Sequence, residues 1–174
     1  MKKIKYLIQF LIITILFIIF KILGYKTASN FSACIGSFFG PMFRPKNLIT
    51  NNIKNSLNKI DENEIKNIAK TMWSNYGRIL SDYMFINKFK NSKLDKYFEV
   101  EGKEIFEEIK RNKKPVIFIS GHFNNFELMA MEIERSGINL AAIYRPLNNI
   151  FLNKIMELIR KKYICKNQIK KGIT

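Results

Sequence analysis

The stretch PVIFISGHFNNFELMA, residues 115–130, carries the pattern from which the fold is predicted. Its first six residues form a continuous apolar, β-branched run, which is typical of a strand buried on both faces of a sheet covered by helices. Residues 126–135 have the pattern of a helix, and Gly137 is expected to end it. His122, the one histidine of the chain, falls in the turn between strand and helix.

A second strand follows at the spacing of a βαβ unit. INLAAIYRP, residues 138–146, predicts another buried strand, so the two strands would lie parallel with a right-handed crossover. Catalytic groups in such sheets collect at the carboxyl ends of the strands. His122 follows one strand and YRPLNN, residues 144–149, follows the next, so both are expected at the same rim. The fold class is therefore predicted as α/β, with a mostly parallel sheet and flanking helices.

The rest of the chain is predicted to be mainly helical. Asp61 and Glu64 form a capping-box pattern ahead of a long amphipathic helix. Six residues of that helix are expected to pack in the core: Ile65, Ile68, Met72, Tyr76, Ile79 and Tyr83. The other expected segments are a loop over residues 36–45, a helix from residue 47, a strand over 97–100, a helix over 103–111, and a basic amphipathic helix from residue 148 to the end of the chain.

The N-terminus is predicted to be a membrane anchor over residues 1–24. Its apolar run, residues 6–20, would span about 23 Å as a helix, short of the ~30 Å hydrocarbon core. Continuing to Leu23 adds about 5 Å, and Lys21 can snorkel to the interface. The segment would thus span the membrane or lie along it, with a secretory signal peptide as the alternative. Residues 25–174 are assigned to a single domain.

The formal net charge is +16, which has two possible origins. A lysine-, asparagine- and isoleucine-rich composition is typical of AT-rich genomes, so the charge can be compositional. If it is functional, the partners are anionic: phospholipid headgroups, a phosphorylated substrate, an acidic carrier protein or nucleic acid. Nucleic acid is disfavoured, because the basic residues are spread along the chain without clustered aromatics. Cys34, Cys165 and one histidine make no zinc set, so neither a metal nor a cofactor is predicted.

Glu127 follows His122 by five residues, a spacing that decides whether they can meet. On one continuous helix their side chains would point roughly 140° apart. They can meet if His122 lies in the turn before the helix and Glu127 in its first turns. Glu127 would then hold one ring nitrogen, and the other would take a proton from a substrate hydroxyl. The alternative is a histidine that caps a helix beside a solvated glutamate.

Four blocks of this sequence, in order, resemble the bacterial lipid A biosynthesis acyltransferases. GHFNNFEL and the later YRPLNN resemble the two leading blocks of that family. MWSNYGRILSDY, residues 72–83, and VEGKEIFEEI, residues 100–109, resemble two upstream blocks, and the apolar N-terminus is in the expected place. The resemblance extends over nearly the whole chain. Members of that family are usually longer, so the chain is expected to be C-terminally incomplete, without further strands of the sheet.

The resemblance implies transfer of a fatty acyl chain from acyl carrier protein to a hydroxyl of a phosphorylated glycolipid, at the cytoplasmic face of the bacterial inner membrane. His122 would be the general base and Glu127 its orienting partner. Arg145 would bind phosphate or stabilise the oxyanion, and Asn148 and Asn149 would support that loop. Two rivals remain: a lysophosphatidate-type glycerolipid acyltransferase, and a membrane-surface protein without catalytic activity.

Overall fold

The computed structural model describes residues 2–57 and 59–172, which fall into two compact units. One unit takes residues 1–15 and 85–174, and the other takes residues 16–84. The helices in the described residues are α1 (Lys2–Leu23), α2 (Tyr25–Phe39), α3 (Lys46–Ser56), α4 (Glu62–Lys90), α5 (Lys103–Asn112), α6 (Phe126–Arg135) and α7 (Ile150–Ile159). The strands are β1 (Ala141–Tyr144) and β2 (Asn167–Lys170).

The first helix, α1, is long and apolar enough to cross a membrane, and it is the one such helix in the described part of the chain. Its 22 residues extend about 33 Å, close to the thickness of a hydrocarbon core. A signal sequence has the same length and composition. The anchor over residues 1–24 therefore stays a prediction.

In the unit of residues 16–84, α2 packs on α4 with their backbones in contact. A Cβ placed on Gly77 would lie 2.0 Å from the carbonyl oxygen of Ser32, and one on Gly36 would lie 2.3 Å from that of Trp73. The hydroxyl of Ser32 donates to the carbonyl of Gly77 at 2.5 Å. Small residues allow helices to approach this closely, and the buried hydroxyl then satisfies a backbone group.

The predicted core stripe of α4 is largely wrong. Ile65 is buried, but Ile68 and Tyr76 are 37% and 57% exposed. The other three residues, Met72, Ile79 and Tyr83, are half-buried. The helix buries the small residues Gly77 and Ser81, and near its end it also buries Phe85, Ile86 and Phe89. At the contact with α2, close packing of two backbones selects small side chains, which a stripe of large apolar residues does not predict.

The expected loop over residues 36–45 is partly helical. Helix α2 continues to Phe39, and Gly40–Phe43 forms a 3-10 turn. Gly36 lies within α2, where it allows the backbone of α4 to come close, and the chain does not turn there. The capping box ahead of α4 is confirmed: Asp61 Oδ1 accepts from the backbone N–H of Glu64 at 2.9 Å, and Glu64 Oε2 accepts from that of Asp61 at 3.4 Å.

In the other unit, β1 and β2 form a parallel pair joined through α7. Ala141 pairs with Asn167, and the register continues to Tyr144 with Lys170. A parallel pair was predicted, but β2 replaces residues 115–120 as the partner of β1. The basic helix expected to reach the end of the chain stops earlier: α7 continues as a π-helical turn, Arg160–Ile164, before β2 begins. The mostly helical chain with a parallel pair is consistent with the α/β class.

Two predicted strands are absent from the described residues, and β1 is less buried than expected. Residues 115–120 are neither a strand nor buried, with Ile117 88% and Ile119 92% exposed. Residues 97–100 follow the 3-10 turn Asp95–Tyr97 without forming a strand. In β1, Ile143 is 76% exposed. Apolar runs signal a tendency to be buried, but strand formation also needs a hydrogen-bonding neighbour, which the run does not specify.

The α2–α4 contact predicts that Gly77→Ala destabilises the protein. In an ordinary helix this change stabilises by roughly 0.5–1 kcal/mol. Here the new methyl group would overlap the Ser32 carbonyl, so we expect the free energy of unfolding to fall by about 1–3 kcal/mol. Denaturant unfolding followed by circular dichroism measures it. Asn67→Ala, at an exposed position of the same helix, should be near neutral. A stabilised Gly77→Ala variant would contradict the close contact.

Candidate active site

His122 lies before the first residue of α6, in a segment without regular structure. The segment turns at Asn124, which has a positive φ of 47°, and the N–H of Phe126 bonds the carbonyl of Asn124 at 3.2 Å. The imidazole of His122 is exposed, and its centroid lies 4.3 Å from that of the Phe126 ring. The turn therefore presents the histidine to solvent, where a substrate can reach it.

Glu127, five residues after His122, points into the protein. Its side chain is 6% exposed, in the first turn of α6. The guanidinium of Arg160 meets it with two nitrogens: Nε donates to Glu127 Oε1 at 2.8 Å, and Nη2 donates to the same oxygen at 2.5 Å. This charge-assisted, two-point contact fixes both the position and the orientation of the carboxylate.

The structure does not join His122 to Glu127 by a hydrogen bond within the residues it describes. The imidazole packs on the ring of Phe126, the residue before Glu127. His122 lies in the turn before α6 and Glu127 in the first turn of α6, as the sequence predicted. The pairing of the two side chains stays a prediction.

Arg160 belongs to a polar cluster around β1 and α7. Its guanidinium carbon lies 5.9 Å from the centroid of the Tyr144 ring. The Tyr144 hydroxyl donates to Glu157 Oε1 at 2.5 Å, and Asn153 and Lys170 contact the same oxygen at 2.9 and 3.3 Å. Burial, aided by Glu157, raises the pKa of Tyr144 to about 12. The hydrogen bond from Tyr144 in turn holds the pKa of Glu157 below its usual range.

The loop after β1 contains the other three predicted site residues. Arg145 and Asn148 are exposed, whereas Asn149 is 6% exposed. Asn149 Oδ1 accepts from the first backbone N–H groups of α7 at 3.1 and 3.3 Å. Its amide nitrogen donates to the carbonyl of Tyr6 at 2.9 Å and to Gln9 Oε1 at 3.2 Å. Asn149 thus caps α7 and ties it to the first turns of α1.

Arg160 was not predicted from the sequence. It lies in the segment that the sequence predicts to be a basic amphipathic helix, and nothing in that pattern distinguishes it from its basic neighbours. A usable signal was its residue type: the chain has six arginines among 30 basic residues, and arginine is the side chain suited to a buried, two-point ion pair. Within the described residues no group of three or more His, Cys, Asp or Glu side chains could hold a metal ion.

A mostly helical chain with a parallel strand pair is consistent with an α/β acyltransferase. A comparison with protein-family models matches residues 1–167 to the bacterial lipid A biosynthesis acyltransferases. The chain belongs to this family, which identifies it as an acyltransferase of lipid A biosynthesis. Neither the curated proteins nor the solved structures gave a match.

The buried ion pair predicts that Arg160→Met strongly destabilises the protein. It would leave the Glu127 carboxylate buried without its cation, which lowers the free energy of unfolding by about 3 kcal/mol. Urea unfolding measures this loss.

The double variant Glu127→Gln/Arg160→Met removes both charges and should regain much of that stability. Lys161→Met, one position along at an exposed site, is the matched control and should unfold like the unmodified chain. If Arg160→Met unfolds at the same urea concentration as Lys161→Met, the pair does not form in solution.

The raised pKa of Tyr144 predicts a stability change at alkaline pH. A phenol has a pKa near 10 when unfolded and about 12 here, so the neutral form is favoured by folding. This contribution is complete below pH 10 and is lost as the pH rises towards 12. In an absorbance titration, Tyr144→Phe should delete the phenol that ionises near pH 12. Tyr76→Phe, at an exposed position, should leave it in place.

Proposed function

We propose that this protein transfers a fatty acyl chain from acyl carrier protein to a hydroxyl of a phosphorylated lipid A precursor, at the cytoplasmic face of the inner membrane. The family match over residues 1–167 is the observation that carries the proposal. The exposed His122 supports it, because a general base must reach the substrate proton that it removes.

The reaction needs one base and no covalent enzyme intermediate. A ring nitrogen of His122 takes the proton of the acceptor hydroxyl, and the hydroxyl oxygen attacks the carbonyl carbon of the acyl thioester. The tetrahedral intermediate collapses as the carbon–sulfur bond breaks. The imidazolium then returns its proton to the leaving thiolate, which gives the ester product and free thiol.

Glu127 is proposed to orient His122 and to stabilise the imidazolium formed during transfer. The Arg160 contact supports this role, since it holds the carboxylate at a fixed place in the first turn of α6. The imidazole is the movable member, because it lies exposed outside the helix. In the reactive arrangement its N–H would donate to Glu127, while its other ring nitrogen takes the substrate proton.

The loop after β1 is proposed to bind the negatively charged groups of the substrate and of the tetrahedral intermediate. Arg145 is exposed and can meet a substrate phosphate or the oxyanion of the tetrahedral intermediate. Asn149 would keep the loop in place through its cap of α7, and the exposed Asn148 would contact substrate. The net charge of +16 favours binding of both an acidic carrier protein and a phosphorylated lipid, because both are anionic.

The mechanism predicts that His122→Ala lowers kcat by roughly 10² to 10⁴ without changing stability, because the side chain is exposed. The assay follows radiolabelled acyl transfer from acyl carrier protein to a lipid A precursor, with lysophosphatidate as a second acceptor. Ser120→Ala is the neighbouring control, since Ser120 is also exposed, and it should keep full activity.

Three results would contradict the proposal. Loss of activity in Ser120→Ala would indicate a covalent route through that serine. Preferential use of lysophosphatidate would indicate a glycerolipid acyltransferase. Unchanged turnover in His122→Ala would remove the histidine from the mechanism.

A further inference from the structure

The unit of residues 16–84 contains a cavity of about 220 Å³ between α2, α3 and α4. Its apolar lining includes Ile49, Ile65, Ala69 and Trp73. Ile65 is buried and the other three are half-buried, so this side of the cavity lies towards the interior. Apolar walls with a few polar groups are the usual form of a small-molecule site.

Four cationic residues line the same cavity: Arg44, Lys46, Lys66 and Lys70. All four are exposed, which places their charges on the solvent side. Across residues 2–57 and 59–172 the structure gives none of them an ion pair or a side-chain hydrogen bond. Four uncompensated positive charges around one opening attract an anion.

Exposed apolar residues adjoin the cavity lining along the chain. Phe38, Met42 and Phe43 are 74%, 79% and 77% exposed and follow or precede the lining residues Ser37, Pro41 and Arg44 in sequence. These three apolar residues are called the patch. Exposed aromatic and apolar side chains next to basic residues are typical of surfaces that insert into the interfacial region of a membrane. Neither nucleic acid nor an acidic protein would account for both this patch and the apolar wall behind the charges.

We propose that the cavity binds an anionic phospholipid. The phosphate of the headgroup lies among the four cations, and the start of an acyl chain lies along the apolar wall beside Trp73. The patch of Phe38, Met42 and Phe43 enters the same leaflet. This lipid is a bound partner of the helical unit and takes no part in acyl transfer at His122.

Trp73 provides a direct measurement, since it is the only tryptophan of the chain and lines the cavity. The full chain is held in neutral maltoside micelles, so that α1 is covered in every sample. Phosphatidylglycerol or phosphatidylcholine, each brominated at the same acyl position, is then added at equal mole fraction. We expect phosphatidylglycerol to quench Trp73 fluorescence at a lower mole fraction than phosphatidylcholine, and salt to reduce the difference.

Two variants that remove the same charge distinguish lipid binding at the cavity from attraction to the overall positive charge of the protein. Lys66→Gln/Lys70→Gln should weaken phosphatidylglycerol quenching by roughly tenfold. Lys93→Gln/Lys114→Gln removes the same charge from exposed positions outside this unit and should leave the quenching unchanged. Equal loss in both variants would overturn the proposal in favour of non-specific attraction.

Two further results would also overturn the proposal. Equal quenching by the two lipids would mean that the site does not select an anion. Complete suppression of quenching by an equal concentration of inorganic phosphate would identify free phosphate, and not a lipid, as the ligand. His122→Ala should quench like the unmodified chain, so a failure of the acyl-transfer mechanism would leave this result intact.

Discussion

The buried carboxylate of Glu127 is the constraint on which the unit that contains His122 depends. Removing a carboxylate from water costs several kcal/mol unless a cation replaces the lost solvation. Arg160 supplies that cation from 33 positions further along the chain. Because Arg160 follows α7 and lies beside Tyr144 of β1, the pair ties α6 to the parallel strands. The turn that presents His122 directly precedes this anchored end of α6.

In the other unit, the packing of α2 on α4 depends on glycines, which have no side chain to keep the two backbones apart. Gly36 and Gly77 let the backbones of α2 and α4 meet, and a Cβ on Gly40 would lie 2.4 Å from the Trp73 ring. The Trp73 ring therefore packs on the 3-10 turn that follows α2, and it also lines the neighbouring cavity. The close approach of the helices determines where this indole lies. The same small residues that stabilise the helix pair thus shape the site proposed for an anionic lipid.

Local patterns predicted α4, α5 and α6 well. The capping box of α4 and the bounds of α6 agree with the structure, because both follow from interactions within a few residues. Strand predictions failed at 115–120 and 97–100, and β2 was missed. An apolar run such as VIFI has a strong tendency to be buried, yet strand formation needs a partner from a distant part of the chain. That partner cannot be read from the run itself, and β1 pairs instead with the polar segment 167–170.

The sequence by itself determined the family, the apolar N-terminal helix and the order of His122, turn and Glu127, because each is a local pattern of residue types. Only the tertiary structure decided the partners. It placed Arg160 on Glu127, Asn149 on Tyr6 of α1, and α2 on the small residues of α4. These contacts join residues far apart in the chain. They form only when folding brings the partners together, so that each buried polar group gains a contact in place of the water that it loses.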